Sequence, residues 1–298
     1  MSTLIRIANR LGMRLGVLRQ YAPRAVRSFR LPPAPRSLER VPTIAVVTPV
    51  RNLVGYVEDT LRSVLDQQYP KLEYVVMDGG SSDGTAEIVS SYRSRLLHFE
   101  SGPDGGQTNA INTGFLHTSG EIMAWLNGDD LFLPGSLPFI GAYFRDHPEV
   151  DVVYGHRLLI NEPGAEIGRW VMPPHDDAAY RWLDFVAQET MFWRRSVWEK
   201  LEGGLDTRFH FTMDWDLILR LHEIGARFAR VPYYLGAFRI SDDQKTLDPS
   251  GARNNEVATL LARCDEDADW RRLRTRSLGW YVLKHLVTDR YYRLRGWA

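Results

Sequence analysis

Two adjacent carboxylates, Asp129 and Asp130, follow the apolar run EIMAWL (121–126) and the dipeptide Asn127–Gly128. Each acid raises the cost of ionising the other, and a divalent cation bound beside them would offset that repulsion. Mg²⁺ and Mn²⁺ prefer oxygen ligands, and Mg²⁺ commonly binds one or two carboxylates together with substrate phosphates. The alternative is a polar turn, since Asn, Gly and Asp dominate turns, and on these residues alone we favour the turn.

Two more polar stretches follow apolar runs. In VVMDGGSSDGT (75–85), Asp78 ends the run, and a carboxylate there can accept hydrogen bonds from a nucleobase or from ribose hydroxyls. Asp83 is better explained as the N-cap of the next helix. In SGPDGGQTNAINTG (101–114), glycines permit close backbone approach before a helix start, which favours anions but is also an ordinary loop-to-helix junction.

Short strands and helices alternate through the first half of the chain. The patterns predict strands at 44–50, 72–78, 96–100 and 121–126, and helices at 54–68, 85–92 and 108–118. This alternation predicts an α/β fold with a doubly wound, mostly parallel sheet flanked by helices. Ligands bind beyond the carboxyl ends of the strands in such sheets, and the acids described above fall at those ends.

The second half of the chain has a mixed pattern that predicts a small antiparallel portion. Residues 151–160 and 165–172 predict antiparallel strands around a turn at Pro163–Gly164. Residues 214–225 predict an amphipathic helix, and residues 226–233 predict a strand.

The zero net charge of the 298 residues conceals an asymmetry. Residues 1–40 contain nine Arg and one acid, residues 271–298 contain seven Arg, one Lys and one acid, and the middle has 20 basic and 35 acidic residues. The acidic body argues against a nucleic-acid binder, which needs a positive surface along the phosphates. The basic ends are typical of amphipathic helices on an anionic membrane, or of helices packed on the body, and we weigh these equally.

Cysteine count and hydropathy indicate the compartment. The single cysteine, Cys264, excludes an internal disulfide framework, and none of the eight histidines shows metal-ligand spacing. No apolar run reaches about 18 residues, and arginines interrupt every candidate signal-peptide core. We therefore expect a cytoplasmic protein, located at the inner face of the cell membrane if its basic ends bind lipid.

Several stretches, in this order and spacing, resemble the family 2 glycosyltransferases, which have the GT-A fold. They are TPVRN (48–52), SVLDQQYP (63–70), LEYVVMDGGSSDGT (72–85), GPDGGQTNAINTG (102–114), GEIMAWLNGDDLFLPGSL (120–137), QETMFWRRSVWEKLEGGLD (188–206) and MDWDLILRL (213–221). The resemblance covers about residues 43–245. It implies an inverting, metal-dependent transfer from a nucleotide-diphosphate sugar, which we expect to be UDP-linked, to a hydroxyl of a glycan or lipid-linked acceptor, as in polysaccharide biosynthesis.

The resemblance implies that several loops contact the donor. The residues concerned are Thr48, Val50, Asn52, Asp78, Gln107, Asp129 and Lys245. Asn127–Asp130 is similar to the family's metal and diphosphate motif, with Asp130 as ligand of Mg²⁺ or Mn²⁺ and Asp129 as contact to the sugar or ribose, or the reverse. The closing segment FRISDDQKT (238–246) lacks the family's His, so Arg239 or Lys245 would supply the positive charge, and Asp242 or Asp243 an added ligand.

The stretch FTMDWDL (211–217) is similar to the family's Glu-Asp motif, with Met213 in place of the Glu. This likeness implies that Asp214 is the catalytic base, which removes the proton from the acceptor hydroxyl. Taken alone, Asp214 is explained by the helix macrodipole. Asp216 is interpreted as structural or solvent-facing.

The likeness of QETMFWRR (188–195) implies an acceptor site that includes Gln188, Glu189 and Trp193, with Trp193 stacked on a sugar face. The alternative for Trp193 by itself is an ordinary core residue.

We expect three segments. Residues 1–40 form a basic amphipathic helix and a proline-rich linker, residues 41–250 form the catalytic domain, and residues 251–298 form a helical basic-aromatic extension. The domain has a nucleotide-binding half (41–135) and an acceptor half (150–250). Two rivals are a nucleotidyltransferase, which needs a glycine-rich, lysine-containing loop that TPVRNLVG lacks, and a catalytically inactive sugar- or nucleotide-binding module, which would tolerate loss of the acids.

Overall fold

The computed structural model describes residues 20–26, 29–241, 251–264 and 270–297. Most of the predicted N-terminal helix (4–21) lies outside these residues, as do Lys245, Asp242 and Asp243, so those predictions stay untested.

In the described part of the chain, ten strands form one mixed sheet. They are β1 Gln20–Arg24, β2 Ile44–Val50, β3 Leu72–Asp78, β4 His98–Ser101, β5 Ile122–Trp125, β6 Leu131–Phe132, β7 Val152–Asn161, β8 Glu166–Trp170, β9 Phe192–Arg194 and β10 Phe228–Ile240. The order is β1-β8-β7-β9-β5-β2-β3-β4, with β10 beside β7 and β6 beside β10. Strands β2 to β5 pair in parallel, and β9 joins them to β7 by antiparallel pairing on both of its sides.

Helices cover both faces of the sheet. In the described residues they are α1 Val57–Leu65, α2 Thr85–Ser91, α3 Gln107–Leu116, α4 Ser136–Asp146, α5 Arg195–Trp198, α6 Met213–Glu223, α7 Ala252–Cys264 and α8 Trp270–Leu294. Successive β2 residues face opposite sides, so Val46 packs in the core beside α1 while Val47 packs in the core beside α3. This confirms the predicted doubly wound, mostly parallel sheet flanked by helices.

The antiparallel portion forms around the predicted turn. In the β7–β8 hairpin, Leu158 pairs with Arg169, and the Asn161 N–H donates to the Ala165 carbonyl at 2.9 Å. Strand β10 runs well beyond the predicted end at 233. The sequence suggested an earlier stop because Pro232 cannot donate to a ladder, but the strand instead carries register shifts near this residue and continues beside β7.

The N-terminal helix prediction is wrong at Gln20 and Tyr21, which belong to β1. This strand pairs with β8 because its side chains supply donors to the buried Glu166: the Tyr21 hydroxyl and the Arg24 guanidinium both hydrogen-bond to Glu166 Oε1.

The C-terminal helices pack on the body. Leu260 of α7 and Tyr281 of α8 are buried in the core, and the Tyr292 hydroxyl donates to the Pro232 carbonyl at 3.1 Å. One face of α8 therefore packs on the body, which is one of the two alternatives for the basic C-terminal end. In the described part of the chain no helix is both long and apolar enough to cross a membrane.

Candidate functional site

The carboxyl ends of β2, β3 and β5 meet at one edge of the sheet, where the predicted acids lie. Val50 pairs with Asp78, and β5 ends just before the Asn127–Asp130 loop. This edge is where ligands bind in open α/β sheets.

Asp78 holds two loops together. Its buried carboxylate accepts hydrogen bonds from the Ser81 N–H at 3.1 Å and from the Ser101 hydroxyl at 2.5 Å. The loop after β2 joins the same group, because the Asn52 N–H donates to Ser81 Oγ and Asn52 Oδ1 accepts from the Ser82 N–H. Asn52 has a φ of 52°, in the left-handed region, which its short polar side chain tolerates. Asn52 and Asp78 thus lie in one loop cluster.

The burial of Thr48 and Val50 argues against direct donor contacts by their side chains. Both belong to β2, whose bounds Ile44–Val50 match the predicted strand. Thr48 is fully buried and its hydroxyl lies 3.0 Å from the Tyr74 hydroxyl, while Val50 is also buried. Pro49 is tolerated because the pairing of β2 with β5 ends at Val47, so no partner on that side needs its N–H.

The Asn127–Asp130 loop is fixed against α1. The Thr60 hydroxyl lies 2.9 Å from the carbonyl oxygens of both Gly128 and Asp130. A Cβ at Gly128 would lie 2.6 Å from Val50 Cγ1 and 2.8 Å from Leu53 Cδ1, so only glycine fits. Position 128 is therefore set by close packing below the two acids.

The two adjacent acids have different surroundings. Asp130 is 1% exposed, with Oδ1 accepting from the Arg239 N–H at 3.0 Å and Oδ2 accepting from Asn127 Nδ2 at 3.2 Å. Burial, followed by the like charges of Asp129 and Glu189, raises the pKa of Asp130 well above its usual range. Asp129 is half-buried, and burial raises its pKa too. Asp130 is thus fixed by hydrogen bonds to both of its carboxylate oxygens, and Asp129 is more accessible to solvent.

A chain of side-chain amides connects the loop to α3 and to the 3₁₀ turn Gln188–Thr190. Gln107 Nε2 donates to Asn127 Oδ1 at 2.8 Å, Asn127 Nδ2 lies 3.4 Å from Gln188 Oε1, and Gln188 Nε2 donates to the Trp125 carbonyl at 2.8 Å. The structure therefore brings the predicted donor residue Gln107 and the predicted acceptor residue Gln188 to the same loop.

Arg239 anchors the loop from β10. Its buried guanidinium donates to the Asp129 carbonyl at 2.9 Å and to Asp59 Oδ2 at 3.2 Å, and it also bonds the Glu162 carbonyl. Its positive charge lowers the pKa of Asp129 against the larger effect of burial. Arg239 thus places positive charge beside Asp129, and its predicted role toward a diphosphate stays a prediction.

Glu189 is buried and paired with Arg157 of β7. Arg157 Nε donates to Glu189 Oε1 at 2.7 Å, and Arg157 Nη2 bonds Glu189 Oε2. The guanidinium lies 4.8 Å from the Phe238 ring centre and 5.3 Å from that of Trp170. Because both carboxylate oxygens are bonded to Arg157, Glu189 in this state acts as the partner of that arginine.

Asp214 lies in the first turn of α6, which contacts α3 through Met213: the Thr108 hydroxyl lies 3.1 Å from Met213 Sδ. Glu256 of α7 holds the segment before the helix, since its carboxylate accepts from the N–H groups of His210, Phe211 and Thr212. Burial raises the pKa of Asp214, whereas the hydrogen bond from the Trp215 N–H and the charges of Arg157 and Arg253 lower it.

Asp184, which the sequence analysis missed, lies within electrostatic reach of Asp214. Desolvation and then the like charge of Asp214 raise the pKa of Asp184, and Arg157 lowers it. The Asp184 side chain is exposed, so burial alone does not account for the shift and the like charge of Asp214 contributes to it. No sequence motif marks Asp184 or Arg157, because their shared neighbourhood arises from residues far apart in the chain.

Two further predictions concern residues around these acids. The prediction of sugar stacking by Trp193 is wrong: Trp193 is fully buried on β9, with its ring centre 5.5 Å from that of Trp125. Asp216 is buried, not solvent-facing, and bonds Arg220 at 2.8 Å and Arg263 at 2.6 Å. Asp216 thus has the structural role that was one of its two interpretations.

The loop suits a hard divalent cation. Two carboxylates with pKa values raised by burial stand side by side, and a cation would remove the cost of ionising them together. Carboxylate oxygens are the ligands that Mg²⁺ and Mn²⁺ prefer. The residues present therefore fit such a metal.

Solved structures resemble this fold. S. aureus TarS 1–349 in complex with UDP-GlcNAc has a TM-score of 0.62 at 18% identity, covering 79% of this chain and 71% of that chain. The mannosyltransferase PcManGT from Pyrobaculum calidifontis, in complex with GDP-Man and Mn²⁺, has a TM-score of 0.61 at 18% identity, covering 90% and 79%. At these identities the likeness shows the GT-A fold.

Sequence comparison identifies the family. The hyaluronan synthase of Pasteurella multocida is 24% identical over 213 residues, which are 71% of this chain and 22% of that protein. The chain spans about a fifth of the length of the first curated relatives it matches. The model of the family described as glycosyl transferase family 2 matches residues 45–200, more than half of the chain. The chain therefore belongs to glycosyl transferase family 2.

Proposed function

We propose that this chain is an inverting glycosyltransferase that moves a sugar from a nucleotide-diphosphate donor, expected to be UDP-linked, to a hydroxyl of a glycan or lipid-linked acceptor. The observation that carries the proposal is Asp214, a desolvated carboxylate with a raised pKa at the start of α6. The positive charge of Arg157 lowers the pKa of Asp214 and also the pKa of Asp130 in the Asn127–Asp130 loop. Family membership argues against the nucleotidyltransferase alternative.

In the proposed reaction Asp214 removes the proton from the acceptor hydroxyl while the hydroxyl oxygen attacks the anomeric carbon. The bond from that carbon to the diphosphate oxygen breaks, and the nucleoside diphosphate leaves with the bonding electrons. The proton remains on Asp214, whose burial raises its basicity. The Asn52–Asp78 loop cluster is proposed to hold the nucleoside, and Gln107 is proposed to face the sugar through its position in the amide chain.

We assign the metal contact to Asp129, the reverse of the favoured sequence assignment. Asp130 already accepts hydrogen bonds on both oxygens, so it holds the loop. Bound there, Mg²⁺ or Mn²⁺ would stabilise the negative charge of the departing diphosphate. The Mn²⁺ and GDP-Man named for PcManGT, and the UDP-GlcNAc named for TarS, support a nucleotide sugar and a divalent cation without selecting the base.

We expect Asp129→Ala to weaken Mn²⁺-dependent UDP binding at least tenfold while the melting temperature stays unchanged. The Asp129 carboxylate is accessible to solvent, so its removal takes away a proposed metal ligand without removing a buried contact that stabilises the fold. Asp130→Ala instead leaves the Arg239 N–H without its acceptor and costs about 1–3 kcal/mol of stability. Calorimetric titration of UDP and of GDP, with Mn²⁺ or with EDTA, measures binding, and thermal unfolding measures stability.

Two results would contradict this assignment. Loss of the metal-dependent component in Asp130→Ala alone, with a normal melting temperature, would return the ligand role to Asp130. UDP binding that is equal in Mn²⁺ and EDTA would remove the metal from the donor site.

We also propose that α8 contacts an anionic membrane. Its outer face carries a stripe of exposed apolar side chains, formed by Trp280, Leu283, Val287, Tyr291 and Leu294. Exposed arginines flank this stripe: Arg276, Arg290, Arg293 and Arg295. Apolar side chains that enter the headgroup region, beside arginines that meet anionic lipid, favour such a surface over a neutral partner.

The double variant Leu283→Ser/Val287→Ser should lose most of its co-sedimentation with phosphatidylserine-containing vesicles, and salt should weaken the wild-type binding. Leu116→Ser is the matched control, since Leu116 is highly exposed elsewhere. Equal binding to neutral phosphatidylcholine vesicles, or an equal loss in Leu116→Ser, would contradict the proposal.

The catalytic domain, assigned to residues 41–250, is proposed to require α7 as well. The observation that supports this is Glu256 of α7, whose carboxylate accepts hydrogen bonds from three N–H groups in the segment preceding Asp214.

A further inference from the structure

Three potential metal ligands lie together at the far end of α6. His175 and Asp177 belong to the segment after β8, and His222 lies near the end of α6. One ligand atom from each residue lies within 4.8 Å of the others. His222 follows Asp214 by eight residues, or about 12 Å of helix, so this cluster is separate from the proposed catalytic acid.

The two imidazole rings are oriented alike. They are parallel within 5°, with centres 5.3 Å apart, and both stack on Phe228, at 4.0 Å for His222 and 5.0 Å for His175. Rings on opposite faces of Phe228 would be separated by two stacking distances, so these two lie on the same side. A ring nitrogen donates its lone pair in the plane of its ring, and rings side by side can therefore direct lone pairs at one point.

Neighbouring residues hold these rings in place. Tyr180 stacks on His222 with ring centres 3.4 Å apart, and the Tyr154 hydroxyl lies 2.8 Å from His175 Nδ1. If Nδ1 carries the proton of this hydrogen bond, His175 Nε2 keeps a free lone pair. Metal-ligating histidines commonly have such a partner on the second nitrogen.

The remaining ring nitrogens have the character of ligands. Within the described residues, Nε2 of His222 is buried without a hydrogen-bond partner, and Nε2 of His175 is buried beside the Asp177 carboxylate. The Asp177 carboxylate lies 3.2 Å from His175 Nε2. Buried polar atoms without partners are rare and call for an explanation.

We propose that His175, His222 and Asp177 bind a Zn²⁺ ion, with water completing the coordination. Two imidazoles and one carboxylate form a borderline donor set that suits Zn²⁺ rather than Mg²⁺. Spacing along the chain does not indicate this group, because its residues come from separate segments.

Nearby charges are compatible with a cation. Asp176 pairs with Lys284 at 2.8 Å, and the positive charge of Arg181 also acts on His222. Asp177 supplies the negative charge that faces the site. A bound ion would join the segment that carries Asp184 to α6, which carries Asp214, and would stabilise their relative position.

A second cluster provides an internal comparison. His98, Glu100 and His117 also have ligand atoms within 4.8 Å, but the two rings are stacked face to face with centres 3.7 Å apart and 10° between planes. Their in-plane lone pairs run parallel and do not meet. We therefore expect this cluster to bind transition metals weakly or not at all.

Titration of the full chain with Co²⁺, in excess Mg²⁺ to occupy the carboxylate loop, tests the proposal. Wild type should bind one Co²⁺ with a visible absorption band, and Zn²⁺ should abolish the band and raise the melting temperature. His222→Gln should lose the band, and Asp177→Asn should weaken binding at least tenfold. The Asp177 side chain is 87% exposed, so Asp177→Asn should keep the fold even if His222→Gln unfolds the protein.

The controls are His117→Gln and Asp129→Ala, both expected to retain the band. A band that survives in Asp177→Asn and His222→Gln overturns the proposal, as does a band lost in His117→Gln, or no saturable Co²⁺ binding by wild type. UDP binding is measured in the same samples, so failure of the zinc site is distinguished from failure of the proposed donor site.

Discussion

Asp214→Asn should reduce glycosyl transfer at least about a hundredfold and leave UDP binding unchanged, because a general base contributes about 10²–10⁴-fold in rate. Asn has the same shape as Asp but cannot accept the acceptor proton. The measurement is the acceptor-dependent release of nucleoside diphosphate, paired with calorimetric titration of UDP. An unchanged UDP affinity separates a lost base from a damaged donor site.

The same residue predicts a pH dependence. Burial raises the pKa of Asp214 above its ordinary value, and the base acts only when ionised. The value of kcat/KM should therefore fall as the pH decreases through this raised pKa, at a higher pH than for an exposed aspartate. The rate that remains in Asp214→Asn should not show this acid limb.

Asp216→Asn is the matched control two residues away on α6. Asp216 is buried and paired with Arg220 and Arg263, so its replacement lowers stability and leaves the acid limb in place. Asp184→Asn tests the nearest competitor. Transfer that survives in Asp214→Asn but is lost in Asp184→Asn would identify Asp184 as the base.

Local sequence patterns were sufficient for the elements that place the acids. Strand β3 has the predicted bounds 72–78, and α3 and α6 begin within one residue of their predicted starts. These elements have short-range signals: buried apolar runs, and apolar residues at helical spacing between polar loops. The positions of Asp78 and of the Asn127–Asp130 loop follow from the ends of such runs.

Local sequence patterns did not predict the direction of individual side chains or the pairing of residues far apart in the chain. Thr48 and Trp193 belong to stretches that resemble the family, yet both side chains are buried, because neighbouring strand residues face opposite sides. The pairing of Arg157 with Glu189 and the position of Asp184 depend on strand order. The contacts of Glu256 depend on how α7 docks, which no local pattern encodes.

Arg157→Met should destabilise the fold by about 3 kcal/mol, because it leaves the buried Glu189 carboxylate without its partner. It should also move the acid limb of the remaining activity to higher pH. Arg157 lowers the pKa of Asp214 and of Asp130, so loss of its charge makes both acids harder to ionise. Urea unfolding measures the first effect, and the pH profile of kcat/KM measures the second.

Arg157→Lys keeps the charge but loses the two-pronged hydrogen bonding, so it should lose stability with little movement of the acid limb. Arg169→Met, in the buried ion pair with Glu166, is the matched control. Its cost should be smaller because Tyr21 and Arg24 also bond Glu166, and its pH profile should match wild type.

If Arg157→Met fails to fold, Arg157→Met/Glu189→Met decides the question. Replacing both members of a buried ion pair with apolar side chains is often neutral or stabilising, so the double variant should regain the fold. Because the Glu189 charge also raises the pKa of Asp130, its removal offsets part of the loss of Arg157 there, whereas the acid limb set by Asp214 should stay displaced. A double variant with wild-type stability and an unmoved limb would show that Arg157 supports the fold and does not tune the base.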